Sequence, residues 1–183
     1  MIKLKDITLM SIMLAILIVC SKISFNIGPI PITLQTLAVI LISYILGTKK
    51  ALIVFGIYIF LGVVCFLPIF STTESGFYYV LKPSFGFIIG FFLSAIPCGL
   101  KIKDNSLIFI IIRGLLGLMV IDKTCLIYMS IILNCYMQAS KSFSDIIAIG
   151  LSPFLIKDIL SVFICALVYD RIKPTIENFT NGK

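Results

Sequence analysis

Long apolar stretches separated by short polar segments dominate this chain. A helix that crosses a bilayer needs about 20 mainly apolar residues. By that measure the pattern predicts six spans, which are Ile7–Ile23, Thr33–Leu46, Ala51–Leu67, Phe85–Leu100, Leu107–Met137 and Ile146–Tyr169, the last interrupted by Pro153. No long polar linker divides them, so we expect an all-α membrane protein with a single domain over residues 1–183.

Lysine and arginine residues are distributed unequally between the two sides that these spans define. With the N-terminus in the cytoplasm, the inside segments carry Lys3, Lys5, Lys49, Lys50, Lys101, Lys103, Arg171, Lys173 and Lys183, and the outside segments carry Lys22, Lys82 and Lys141. Because cytoplasmic loops are enriched in these residues, we expect six transmembrane helices with both termini cytoplasmic. The longer outside loops favour a ligand site that opens outward.

Composition narrows the class of protein. Apolar residues make up 60% of the chain and charged residues 13%, against about half and about a quarter in soluble domains. This excludes a soluble enzyme, a disordered tail and a nucleic-acid module. We read the net charge of +7 as lysine and arginine collected in the cytoplasmic loops of a protein embedded in the lipid bilayer. The chain has no histidine, no phosphate loop and no CxxC pair, so we expect no metal and no cofactor, and only carboxylates and lysines remain for an enzyme to use.

Ionisable residues within the predicted spans are costly in a bilayer and tend to be functional. Asp158 lies about one turn after Pro153, and we expect its carboxylate to face a ligand. Neighbouring helix positions point about 100° apart, so Lys157 and Asp158 are not expected to face the same neighbour. The alternative for this pair is an internal ion pair. For Arg113, Asp122 and Lys123 in the fifth span we expect snorkelling or a helix break.

Residues 28–36 read Gly-Pro-Ile-Pro-Ile-Thr-Leu-Gln-Thr. The two prolines hold the chain extended before the second span begins. The side chains of Thr33, Gln35 and Thr36 can cap the free N–H groups of that helix or project into a cavity. Irregular backbone at membrane depth is tolerated only against protein or a watery cavity, which supports a ligand site here. In the third loop, Tyr78 and Tyr79 are expected to form an interfacial aromatic belt.

Two small residues in the first span, Ser11 and Ala15, are spaced four apart. Small side chains at this spacing let another helix approach closely. The pair is a candidate contact for a membrane partner.

In series, these motifs resemble the biotin-specific S component of energy-coupling factor (ECF) transporters, the BioY family. The likeness covers nearly the whole chain and rests on Pro29-Ile30-Pro31-Ile32-Thr33-Leu34-Gln35-Thr36-Leu37, Gly47, Tyr58, Leu61-Gly62, Leu67-Pro68-Ile69-Phe70, Lys82-Pro83-Ser84-Phe85-Gly86-Phe87-Ile88-Ile89-Gly90-Phe91, and Pro153-Phe154 with Asp158.

The resemblance implies a capture subunit of the bacterial plasma membrane that binds biotin from outside. An ECF transmembrane coupling subunit and two ATPase subunits would supply the energy, so the chain itself is not expected to be an enzyme. The implied ligand-binding residues are Thr33, Gln35, Phe70, Ser84, Phe85, Phe87, Asn134, Lys157 and Asp158, and the implied partner interface is Ser11 and Ala15. Asp158 would accept from the ureido N–H groups, and Lys157 or Lys82 would meet the valerate carboxylate.

The sequence also departs from the family pattern. Lys82 and Phe85 stand where the family usually has glycine, Phe87 stands for tyrosine, and Ser161 stands for a lysine. The alternatives are an S component for another vitamin, such as thiamine or riboflavin, and a small membrane enzyme or assembly subunit.

Overall fold

A computed structural model describes residues 4–26, 31–100 and 106–181. Gly28, Pro29 and Ile30 of the proline motif, and the predicted inside loop 101–105, lie outside the described residues. The helices found are α1 (Leu4–Lys22), α2 (Gln35–Leu46), α3 (Thr48–Val63), α4 (Phe77–Val80), α5 (Phe85–Cys98), α6 (Leu107–Ile131), α7 (Phe143–Gly150) and α8 (Ser152–Asn181), with a π-helical turn at Ile132–Tyr136. The protein is therefore mostly helical, as its apolar pattern predicts.

Helix α2 forms the centre of the bundle. Ten of its 12 residues are buried, as expected for a helix that is apolar on all sides. Helices α1, α3, α5 and α8 pack around it. This arrangement places the polar start of α2, at Gln35, inside the protein rather than at its surface.

A short antiparallel hairpin leads into α2. Strand β1 (Ser24–Asn26) pairs with β2 (Pro31–Thr33), so that Ser24 lies opposite Thr33 and Phe25 opposite Ile32. Helix α2 therefore begins two residues later than the predicted second span, Thr33–Leu46. Thr33 ends a strand, and the hairpin holds it beside the first turn of α2.

Helices α5 and α6 make the most extensive helix contact in the bundle. Gly86 and Gly90 of α5 face the backbone of α6 at Cys125 and Ile121. Glycines at this spacing let two helices approach until their backbones touch. The contact sets the position of α6 relative to the other helices.

Helix α6 is continuous through Asp122 and Lys123, so the expectation of a helix break there is wrong. Arg113 is buried rather than snorkelling. Its guanidinium donates to the carbonyl of Leu100 and lies 5.5 Å from the centre of the Tyr44 ring. Contact with a carbonyl and an aromatic face lowers the cost of burying this charge.

The predicted sixth span, Ile146–Tyr169, is divided into two helices. Helix α7 ends at Gly150, and α8 begins at Ser152 with Pro153 in its first turn. Proline disfavours helical backbone at the residue before it and fits the first turn of a helix, where its missing N–H is not needed. The break turns the start of α8 toward the hairpin and α2.

Two of the described helical segments, Leu4–Lys22 and Ser152–Ile176, are long and apolar enough to cross a membrane, and Gln35–Leu46 and Phe85–Cys98 are shorter apolar helices. Their exposed positions carry large apolar side chains, including Val19 on α1 and Ile156 and Leu160 on α8. Side chains of this kind suit a surface in contact with lipid.

Candidate ligand-binding site

A polar cleft lies where the hairpin, α2, α5 and α8 meet. It is narrow, with a cavity of about 30 Å³, which is room for water rather than for a vitamin. It is lined by Thr33, Gln35, Thr36, Ser71, Tyr79, Ser84, Phe87, Ile88, Phe91, Phe154 and Lys157. The structure thus brings together five of the predicted residues, namely Thr33, Gln35, Ser84, Phe87 and Lys157.

Hydrogen bonds hold the amide of Gln35 in place at the base of the cleft. The Thr33 hydroxyl donates to Gln35 Oε1 at 3.1 Å, and Gln35 Nε2 donates to the Tyr58 hydroxyl at 2.9 Å. Tyr58 in turn donates to the carbonyl of Ile69 at 3.1 Å. One hydrogen on Gln35 Nε2 and one lone pair on Oε1 are left over by these bonds, so the amide can also meet a ligand.

Lys157 and Asp158 meet at the first turn of α2. Lys157 Nζ donates to the Thr33 carbonyl at 2.9 Å and approaches Thr36 Oγ1 at 3.5 Å, while Asp158 interacts with the Thr36 hydroxyl. The expectation that the two residues face different neighbours is therefore wrong. Helical geometry separates their Cβ atoms, but the four-carbon side chain of Lys157 bends back far enough for its ammonium to contact the start of α2, where Asp158 also lies.

The carboxylate of Asp158 is almost completely buried, with 1% of the residue exposed. Its Oδ1 atom lies 2.5 Å from Lys157 Nζ, so the two side chains form an ion pair. A buried carboxylate is costly unless it is paired, and the lysine ammonium provides that pairing here. The internal ion pair that the sequence offered as the alternative is therefore present.

Aromatic side chains form the rest of the cleft in two layers. Tyr79 and Phe87 line it, and Phe87 packs against Phe154 with ring centres 5.3 Å apart. Phe70 and Phe85 stand behind that layer. Phe70 stacks on Tyr79 at 4.4 Å, and Phe85 meets Tyr79 edge to face at 6.2 Å.

The aromatic-belt expectation is wrong for Tyr79, which is buried and lines the cleft. Tyr78 is exposed, and its place in an aromatic belt stays a prediction. The two residues are consecutive in α4, so their side chains point in different directions.

A roof segment, residues 64–84, covers the cleft and is tied to the bundle at both ends. Ser21 Oγ donates to the Ile69 carbonyl at 2.5 Å, and Lys22 Nζ donates to the carbonyls of Phe70 and Thr72 at 2.7 and 3.2 Å. At the other end, the Tyr128 hydroxyl donates to the carbonyl of Val80. Sequence reasoning gave no role to Ser21, Lys22 or Tyr128, because each contacts a residue 48 positions away.

Asn134 does not lie in the cleft. Its side chain is exposed. Its Oδ1 atom accepts from the backbone N–H of Lys141 at 2.8 Å, and its Nδ2 atom donates to the carbonyl of Lys141 at 3.1 Å. These bonds close the loop between the π-helical turn and α7. The residue therefore shapes the surface outside the cleft.

Asp122 of α6 lies level with Asp158, which sequence reasoning did not recognise. Gly114 faces Val162 of α8, and Met129 faces Gly150 at the end of α7, so Asp122, which lies between Gly114 and Met129, is placed opposite the first turns of α8. It is close enough to Lys157 and Asp158 for their charges to interact with its carboxylate. An acidic residue in mid-span was the available signal, but only the register of the two helices shows its relation to the cleft.

Comparison with known proteins shows the family. A family model for BioY matches residues 1–178. The chain is 31% identical to the biotin transporter BioY of Thermotoga maritima over 160 residues, covering 87% of this chain and 90% of that protein. It is 30% identical to the biotin transporter BioY2 of Lactococcus lactis over 189 residues, covering 98% of each. The chain belongs to the BioY family.

The fold of this BioY family member also matches a solved structure. The crystal structure of the S-component for biotin from an ECF-type ABC transporter superposes with a TM-score of 0.81 at 22% identity, covering 93% of this chain and 91% of that chain. The bundle is therefore an S-component fold. Membership of a transporter family also identifies the chain as a membrane protein.

Proposed function

We propose that this chain is the substrate-capture subunit of a biotin uptake transporter, and not an enzyme. The observation that carries the proposal is the match over nearly the whole chain to curated biotin transporters, including 31% identity to that of Thermotoga maritima. The cleft supports it, because it combines a fixed amide with aromatic walls and lies beside the ion pair of Lys157 with the buried carboxylate of Asp158.

Biotin has a polar ureido edge on an apolar bicyclic ring. Asp158 accepts from the ureido N–H groups, and Gln35 and Thr33 meet the remaining ureido atoms. Phe87 packs on the ring, with Phe70 and Phe85 supporting that wall. Because burial of the ureido edge is costly unless each polar atom is paired, this small polar set provides selectivity.

The cleft has to widen before it can hold the ring, because its cavity is about 30 Å³. Lys157 is the movable element. Its side chain is partly exposed, and its ammonium occupies the space beside Asp158 that a ureido group would take. Biotin binding therefore replaces the lysine ammonium at Asp158 with ligand N–H donors.

The chain is proposed to cross the bacterial plasma membrane six times as one domain over residues 1–183, with both termini in the cytoplasm. Six of the described helices, α1, α2, α3, α5, α6 and α8, have 12 or more residues, whereas α4 and α7 have four and eight. The excess of lysine and arginine in the predicted inside segments supports this orientation.

Direct binding of biotin to the purified protein tests the proposed function. We expect biotin, but neither thiamine nor riboflavin, to raise the melting temperature in detergent, because a ligand that binds only the folded state stabilises it. Calorimetry should then give one site per chain. Stabilisation by thiamine or riboflavin instead would assign the chain to another vitamin, and chemical turnover of biotin would identify an enzyme.

Energy for transport is proposed to come from an ECF transmembrane coupling subunit and two ATPase subunits. Ser11 and Ala15 support a partner contact on α1, since both side chains are exposed and separated by one helical turn. Small residues there leave room for a partner helix.

Replacement of Ala15 by leucine is expected to impair transport without weakening biotin binding. A bulky side chain that disrupts a membrane helix contact costs about 1–2 kcal/mol, roughly tenfold in assembly. Co-purification with the coupling subunit and uptake of labelled biotin by cells measure the effect. Ala148→Leu is the matched control, because Ala148 is exposed on α7. Normal assembly of Ala15→Leu would remove this face from the interface.

A further inference from the structure

A second, larger chamber adjoins the polar cleft. It has a volume of about 430 Å³, and Ser84 lines both spaces. The chamber lies between the roof segment and α6, the π-helical turn and α7, and its lining includes Leu81, Lys82, Met129, Leu133, Lys141 and Ile149. We infer that this chamber receives the aliphatic carboxylate tail of the ligand and that Lys82 binds the carboxylate. The inference rests on the proposed function and adds to it the direction in which the ligand lies.

Lys82 lines the chamber and lies close to the cleft. Its ammonium lies 6.0 Å from the centre of the Tyr79 ring, and Tyr79 lines the cleft. Pro83 follows directly and restricts the backbone between Lys82 in the chamber and Ser84 at the boundary with the cleft. A ligand whose ring sits beside Tyr79 and Phe87 can therefore pass Ser84 with its chain and reach Lys82.

Lys157 is the other cation near the ligand, and its contacts make it the poorer partner for the carboxylate. Its ammonium donates to the Thr33 carbonyl at 2.9 Å, and it keeps that bond when a ureido group takes its place at Asp158. A carboxylate placed there would also lie next to the carboxylate of Asp158, in a buried site where like charges repel strongly. The acidic Asp158 beside the cleft and the basic chamber thus suit opposite ends of the same ligand.

The present partner of Lys82 can be exchanged at low cost. Lys82 forms an ion pair with Glu74, and the two side chains are 28% and 45% exposed. Exposed ion pairs contribute little to stability. The ligand carboxylate therefore replaces Glu74 at Lys82, while Lys22 and Tyr128 keep the roof segment attached.

The rest of the chamber suits a methylene chain. Met129, Leu133 and Ile149 form an apolar side opposite the roof segment. Lys141 adds a second positive charge to the lining, but its side chain is exposed and the Asn134 amide holds its backbone. We assign the carboxylate to Lys82 because Lys82 is less exposed and lies beside Tyr79.

Comparison of biotin with biotinamide tests the inference, because the two ligands differ only in the group that ends the tail, which is a carboxylate in one and a neutral amide in the other. We expect the wild-type protein to bind biotin about 10- to 100-fold more tightly than biotinamide, as typical of a charge-assisted hydrogen bond. Lys82→Gln should bring the ratio of the two affinities to within about threefold of one, chiefly by weakening the binding of biotin. Lys82→Arg should preserve most of it.

Two further variants separate the possible outcomes. Lys49→Gln removes the same charge from an exposed position on α3 and should leave the ratio as in the wild type. Collapse of the ratio in Lys141→Gln but not in Lys82→Gln would overturn the assignment to Lys82. An unchanged ratio in both would overturn the tail chamber while biotin capture stands. If wild-type protein binds neither ligand, the proposed function fails as well.

Discussion

Replacement of Asp158 by asparagine is expected to weaken biotin binding by about 10- to 100-fold. A hydrogen bond to a charged group contributes about 1.5–3 kcal/mol, and each 1.4 kcal/mol changes the dissociation constant about tenfold. Asparagine keeps the volume of the side chain but presents one acceptor oxygen and one N–H₂ group, which opposes a ligand N–H. Isothermal calorimetry in detergent measures the dissociation constant.

The melting temperature of Asp158→Asn must be measured alongside its affinity. The substitution leaves Lys157 without its counter-ion at the start of α8, and breaking a buried ion pair destabilises a protein. Asp170→Asn is the matched control, since Asp170 is an exposed aspartate of the same helix. Wild-type affinity in a folded Asp158→Asn variant would exclude Asp158 from the ligand site.

The apolar pattern of the sequence locates best the helices that have clear local boundaries. The predicted starts at Phe85 and Leu107 agree with α5 and α6, because proline and serine precede the first and a charged, polar segment the second. The predicted end of the third span at Leu67 is four residues late. The apolar run continues past Val63, but the chain there turns into the roof segment. Composition alone cannot distinguish an apolar helix from an apolar turn that packs against it.

The candidate site is predictable where chemistry alone identifies a residue. A carboxylate within a membrane span costs free energy whichever way it faces, so Asp158 stands out from the sequence alone. The contacts of Tyr58 and Tyr79 depend on long-range packing, which leaves no local signal in the chain. Asn134 shows the opposite case, because a polar residue near the predicted site proves to bind a nearby backbone segment.

The roles of Asp122 and Lys82 depend on the register between elements rather than on sequence position. Asp122 is 36 residues from Asp158 in the chain but level with it across α6 and α8. Lys82 stands where the resemblance implies glycine, and its meaning follows from the chamber beside it. Lys82 departs from the family pattern, and its place beside the chamber makes it a ligand contact that can be tested.

Replacement of Gly90 by alanine is expected to destabilise the whole bundle, although alanine favours helix more than glycine does. A Cβ atom on Gly90 would lie 2.9 Å from Ile121 Cα and 3.0 Å from Ile121 O. These are backbone atoms and cannot rotate away, so α5 and α6 must separate. Overpacking of this kind costs about 1–3 kcal/mol, which exceeds the gain of about 1 kcal/mol in helix propensity.

Gly56→Ala is the matched control, because the nearest atom to its added Cβ is a ring carbon of Phe92 at 3.8 Å, an ordinary contact. We expect thermal unfolding in detergent to show a lower melting temperature for Gly90→Ala and an equal or higher one for Gly56→Ala. Biotin affinity should fall with Gly90→Ala as well, since movement of α6 displaces Tyr128, which holds the roof segment at Val80. A Gly90→Ala protein as stable as the wild type would show that α5 and α6 accommodate the added Cβ atom without separating.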